Sequence, residues 1–145
     1  MIKIKVKKIN EEAIIPTTGS DKSAGYDLYA CIERPITIPA HSTKKIGTGL
    51  AMELPDGYFG AIAARSGLSV KEGLRPANCL GIMDSDYRGE YIVALHNDTD
   101  EAKLIMPSQR IAQLILIQYS TINFEEVDEL SETERGESGF GSTGK

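Results

Sequence analysis

The sequence predicts an all-β domain built of short strands, a sandwich, jelly roll or barrel, with one short helix and a flexible C-terminal arm. Three observations carry this reading. Short apolar or alternating stretches of strand length recur along the chain. Turn-forming residues cut them apart, with 14 Gly and 6 Pro in 145 residues. From about Glu125 the composition changes to an acidic and then Gly- and Ser-rich stretch that has no core of its own.

Taken in order, Ile2, Ile4 and Val6 alternate with lysines, the period-two pattern of a half-buried strand. Extended segments follow at 27–34, 36–38, 43–53, 58–64, 91–97 and 110–119. Pro35, Pro39, the run Pro55, Asp56 and Gly57, and the pair Asn97 and Asp98 separate them. Many short strands with frequent turns are the pattern of sandwiches, jelly rolls and barrels. The run from Ile111 to Ile117 is almost continuously apolar and should be buried on both faces. A short helix is expected near 67–72, after Gly67. Residues 78–90 read as a hairpin with Asp-rich turn chemistry. Residues 1–124 are expected to form one β domain and residues 125–145 the arm.

A chain of 145 residues, 41% of them hydrophobic, suits one domain with a real core. Residues 1–119 hold 14 acidic and 14 basic side chains, while 120–145 hold seven acids against Arg135 and Lys145. The body is therefore neutral and the tail carries the net charge of −5. A nucleic-acid duplex normally calls for a basic face, and none is evident. A small polyanion needs only a few placed cations and a metal. Cys31 and Cys79 are far apart and in no metal-binding spacing, so free buried thiols are expected. No apolar run has the length of a membrane span, and the N-terminus lacks a signal-peptide pattern. A cytoplasmic protein is the expectation by elimination.

Five segments carry candidate chemistry. In the run from Ala24 to Ala30, Asp27 is the one carboxylate in a mostly apolar strand opening, where an acid is costly unless it is paired or serves a cation. Read alone, an edge-strand acid facing water accounts for it. Ala64–Leu68 places Arg65, Ser66 and Gly67 where a strand gives way to a helix, an anion seat or a plain turn. In the hairpin of residues 78–90, Asp84 could orient a water as general base and Tyr87 could close against a sugar, although turn chemistry alone explains both. Gln113 puts an amide into an apolar strand, where it needs partners. In the tail, Arg135 and Phe140 stand among glycines whose N–H groups could wrap an anion, as a closing lid over a nucleotide requires. His41 and His96 belong to no triad or metal set and read as structural.

Together and in this order, Ala24–Ala30, Ala64–Leu68, Asn78–Glu90, Gln109–Leu116 and Arg135–Gly144 closely resemble the five motifs of the trimeric dUTPase family. The last, running Arg-Gly-x-x-Gly-Phe-Gly-Ser-Thr-Gly, is the most diagnostic. The resemblance implies a jelly-roll-like fold, a homotrimer with active sites at subunit interfaces, and hydrolysis of dUTP to dUMP and pyrophosphate with Mg²⁺. It assigns Asp27 to Mg²⁺ through water. It places Arg65, Ser66, Gly67, Gln113, Arg135, Gly141, Ser142 and Thr143 on phosphate. It sets Asn78, Gly81, Ile82, Met83 and Ile92 around base and sugar, with Tyr87 under the deoxyribose and Phe140 stacked on uracil. It makes Asp84 the base that takes a proton from the attacking water. Ala64 stands where the family commonly has Pro, and Met83 where it commonly has Ile or Val. Neither departure touches a group that does chemistry. A dCTP deaminase shares the fold and some motifs, but its resemblance fails at the Phe140-containing tail. A non-catalytic nucleotide-binding regulator would not need Asp84, Asp27 and Gln113. Neither nucleic acid nor membrane is an expected partner.

Overall fold

The computed structural model of the protein describes residues 1–137 and 139. Its strands are β1 (Lys5–Lys8), β2 (Gly25–Tyr29), β3 (Ile36–Ile38), β4 (Thr43–Gly47), β5 (Leu50–Glu53), β6 (Tyr58–Ala63), β7 (Leu74–Pro76), β8 (Gly81–Met83), β9 (Ile92–Asn97), β10 (Lys103–Ile105) and β11 (Arg110–Gln118). The expected all-β class holds. One helical turn, Gly67–Lys71, falls where the sequence placed a helix. Among the described residues no helix is long and apolar enough to cross a membrane.

Two antiparallel sheets face each other across the core. One runs β2-β11-β6-β8 and the other β4-β9-β7, with the pairs β1-β5 and β10-β3 at their margins. Leu28 and Leu114 of the first sheet pack in one cluster with Ile46, Val93, Leu95 and Leu74 of the second, each 4% exposed or less. Alternation along β9 explains how: Val93, Leu95 and Asn97 point inward while Ile92 is exposed.

Several expectations need correction. The segment expected at 27–34 is strand only as Gly25–Tyr29. The predicted strand 43–53 is two strands, because the chain turns at Thr48 and Gly49. Gly49 has φ +67°, and a Cβ there would lie 2.8 Å from the Cys31 sulfur and 2.9 Å from the Ala13 Cβ. That corner hands the chain from β4, paired with β9, to β5, paired with β1. Residues 78–90 form no ladder hairpin: β8 pairs with β6, whereas β9 pairs with β4 and β7. The segment between β7 and β9 is thus a long excursion that lends β8 to the opposite sheet. Finally, β11 is fully buried only at its start. Ile111 and Ala112 are 0% exposed, but Ile117 is 37% exposed.

Past β11 the chain is held by the Tyr119 N–H on the Gly57 carbonyl, 3.0 Å, and by an edge contact of Tyr119 with Phe59. Beyond it, Ile122, Phe124 and Leu130 are 74–87% exposed. Cys31 is half-buried and Cys79 exposed, so only the first approaches the expected buried thiol.

Candidate active site

Strand register brings the first group of candidates together. On β11, Gln113 lies opposite Asp27 of β2 on one side and Ala63 of β6 on the other. Residues opposite one another share a face, so Asp27, Gln113 and the end of β6 form one row. Asp27 does not face water. Its side chain is 15% exposed, and each oxygen takes an arginine: Arg65 Nε donates to Oδ1 at 2.7 Å and Arg110 Nη1 to Oδ2 at 3.2 Å. Gln113 Nε2 donates to the Ala64 carbonyl at 2.8 Å. Its amide fills the space where a side chain at position 25 would stand, so a larger residue there would push the amide aside. Ser66 and Gly67 are exposed at the entrance to the helical turn, and the Arg65 carbonyl accepts from the Leu68 and Ser69 N–H groups. Arg65, Gly67, Lys71 and Arg110 line a cleft of about 450 Å³.

Arg110 is a site residue the sequence reading passed over. Positions 110 and 113 fall on opposite faces of a regular strand. Here β11 takes three steps from Arg110 to Gln113 while β2 takes two, from Tyr29 to Asp27, because the register shifts between Arg110 and Ala112. The bulge turns Arg110 onto the Asp27 face. No sequence pattern announces it.

The second group gathers around β8. Ile82, Met83, Asp84, Tyr87, Glu90 and Ile92 line a pocket of about 210 Å³. Gly81 is buried against Ile62, and the Asn78 amide lies over it. The Tyr87 N–H bonds the Asp84 carbonyl at 3.2 Å, which closes the turn that presents the exposed Asp84 carboxylate. The Tyr87 hydroxyl donates to the Glu90 carbonyl at 3.2 Å.

Within one chain Gly81 borders the first row, pairing with Ile62 beside Ala63, but Asp84 and Arg65 lie at opposite ends of β6. Met83 pairs with Gly60 near the start of β6, while Arg65 follows its far end. At ~3.3 Å per residue, Asp84 and Arg65 stand roughly 15–20 Å apart along the strand direction. Arg135 is exposed beside the Thr133–Gly136 turn. Phe140, Gly141, Ser142 and Thr143 lie outside the described residues.

A family model described as dUTPase matches residues 11–144. The chain belongs to the dUTPase family. It is 48% identical over 144 residues to the deoxyuridine 5'-triphosphate nucleotidohydrolase of Nautilia profundicola, covering 99% of this chain and 100% of that one. The corresponding protein of Fusobacterium nucleatum is 44% identical, with 100% of each chain covered. Among solved structures, a dUTPase variant of Staphylococcus bacteriophage 80alpha with dUpNHpp superposes with a TM-score of 0.87 at 27% identity, covering 100% of both chains. The architecture above is thus that of a dUTPase fold.

The described residues hold no cluster of three or more His, Cys, Asp or Glu side chains suited to a metal. That donor set still fits Mg²⁺. The ion usually keeps several waters, takes phosphate oxygens from its substrate and needs one or two carboxylates. Asp27, with one lone pair left on each oxygen beyond its arginine bonds, suits an acceptor for metal-bound water rather than a direct ligand of a bare ion.

Proposed function

We infer that this dUTPase hydrolyses dUTP to dUMP and pyrophosphate by attack of water on the α-phosphorus, with its sites assembled between subunits of a trimer. The observation that carries the reading is the separation of Asp84 from Arg65 along β6 within one chain. The Asp84 pocket, at about 210 Å³, is smaller than the ~300–1,000 Å³ of sites that hold whole ligands. It suits a base and sugar. The Arg65 and Gln113 row offers cations and an amide to phosphates. A nucleotide touching both needs one group from each of two neighbouring chains.

In the proposed chemistry, Asn78, Gly81, Ile82, Met83 and Ile92 enclose the uracil and sugar, and backbone donors and acceptors of residues 78–92 read the base edge. Cytosine's amino group would meet a donor there and leave buried groups unpaired, a large penalty. Tyr87 lies under the deoxyribose and leaves no room for a 2′-hydroxyl. Asp84 holds the attacking water in line and takes its proton. Arg65, Ser66, Gly67 and Gln113 hold phosphate oxygens and so balance the charge that builds during transfer. Arg135 adds a cation for the distal phosphates, Phe140 stacks on uracil, and Gly141, Ser142 and Thr143 wrap phosphate oxygens as the arm of residues 125–145 closes over the domain of residues 1–124. Mg²⁺, when bound, neutralises phosphate charge, and Asp27 holds its waters.

A general base of this kind contributes roughly 10²–10⁴-fold. Asp84→Asn should therefore nearly abolish turnover while dUTP still binds. Pyrophosphate release is measured with dUTP, dCTP, dTTP and UTP, with Mg²⁺ and with chelator. The parent should act on dUTP alone and stop with chelator. Parent-like turnover by Asp84→Asn would remove the assigned base, and release from dCTP equal to that from dUTP would remove the assigned base specificity.

A further inference from the structure

Tyr87 stands 42% exposed at the rim of its pocket, so burial does not hold its ring in place. Three contacts do, and all come from the three residues that follow Arg88. The ring lies across Gly89, where any Cβ would collide with it. It leans on Tyr91, with ring centroids 6.3 Å apart and planes at 36°. Its hydroxyl bonds the Glu90 carbonyl. The pose of Tyr87 is therefore only as well defined as the backbone of residues 89–91.

The far end of that backbone is tied by the Tyr91 N–H on the Leu50 carbonyl, 2.8 Å, and by the Thr48 N–H and Oγ1 on the Tyr91 carbonyl, 3.2 and 2.6 Å. One residue nearer Tyr87, the Glu90 side chain adds a further tie. Glu90 Oε1 accepts the Gly49 N–H at 2.8 Å. The carboxylate lies against Gly47, where an added Cβ would be 2.5 Å from Oε1 and 3.2 Å from Cδ. Gly47 ends β4 and Gly49 forms the positive-φ corner into β5. Gly47 leaves room for this side chain while Gly49 donates the N–H to it, and the bond is a charge-assisted one to the corner between β4 and β5. A turn residue at a pocket rim has no need of such an anchor for solubility.

We propose that Glu90 is a positioning residue: by anchoring the 89–91 backbone to the Gly49 corner it fixes Tyr87 and so sharpens selection of deoxyribose over ribose. This rests on the reading of Tyr87 given above. The test compares kcat/KM for dUTP and for UTP, with Mg²⁺, in full-length parent, Glu90→Ala, Glu90→Gln, Tyr87→Ala and the double variant, with thermal midpoints recorded beside them. In Glu90→Ala the dUTP-to-UTP ratio falls about tenfold, the effect of roughly one hydrogen bond's worth of positioning. In Glu90→Gln, which keeps the Oε1 acceptor, it stays within about twofold of the parent. The double variant matches Tyr87→Ala, because Glu90 acts only through that ring. Should Glu90→Ala not fold, the ratio is read on Glu90→Met, which keeps the stem and removes only the acceptor. If Tyr87→Ala lowers the ratio and Glu90→Ala lowers only the thermal midpoint, Glu90 is a structural brace and the proposal is overturned. If Tyr87→Ala itself leaves the ratio unchanged, the assignment of Tyr87 fails first and takes the proposal with it.

Discussion

Tyr91 is the largest side chain wholly inside this protein, and its hydroxyl finds no hydrogen-bond partner among the described residues. A buried, unpaired hydroxyl costs about 1–3 kcal/mol. Burial also drives its pKa from the ordinary value of 10 up to about 12. Tyr91→Phe should therefore keep the ring packing and raise the thermal midpoint by a few degrees, roughly 2–4 °C per kcal/mol at this size. The sign of the pH dependence follows from the raised pKa. Below pH 10 the parent keeps its full stability from this group; between pH 10 and about 12 the unfolded chain ionises Tyr91 while the folded chain resists, so that stability is lost. The advantage of Tyr91→Phe over the parent should widen across that window in thermal melts. An unchanged or lower midpoint for the variant at neutral pH would mean that the hydroxyl is satisfied in solution.

At the scale of elements, the segments with a regular period or a firm stop were legible: β3, β4, β6, β9 and β11 begin or end within about two residues of their expected bounds because Pro, Gly and Asn/Asp turns mark them. Missed elements depend on partners distant in sequence. β7, β8 and β10 are three residues each, too short to show a period, and exist because β9, β6 and β3 supply their ladders. Of the candidate site, Asp27, Gln113 and Asp84 could be named from residue type in an apolar or turn setting. Gly25, Arg110 and Glu90 could not, since their roles come from a cross-strand clearance, a bulge and a corner 41 residues away. The arm poses the reverse case, being clear in composition and devoid of strand or helix among its described residues. Deleting residues 135–145 removes none of the core cluster. The truncated protein should melt as the parent does yet hydrolyse dUTP at least about a hundredfold more slowly if the arm closes over the site as proposed. Unfolding on truncation, seen by circular dichroism, would contradict this.

For the whole molecule, the proposed function divides each site between chains, because Asp84 and Arg65 lie at opposite ends of β6. The exposed Ile122, Phe124 and Leu130 past β11 add apolar surface that the chain's own core leaves uncovered, which favours a neighbouring copy as the cover. In a closed ring of identical chains every interface repeats, so each site can pair the Asp84 pocket of one subunit with the Arg65 row of the next. This makes complementation the decisive measurement. Asp84→Asn and Arg65→Ala should each be nearly inactive alone. Arg65→Ala should still fold, because Arg110 continues to cover Asp27. If the chain assembles as the proposed trimer, random assortment of an equal mixture places an intact Asp84 beside an intact Arg65 at about a quarter of the interfaces. Co-refolded mixtures should therefore recover on the order of a quarter of parent pyrophosphate release, with sedimentation reporting the trimer. A mixture no more active than its two components would place the complete site inside one chain, and the strand geometry would then have to bend far enough to bring the two ends of β6 to one phosphate.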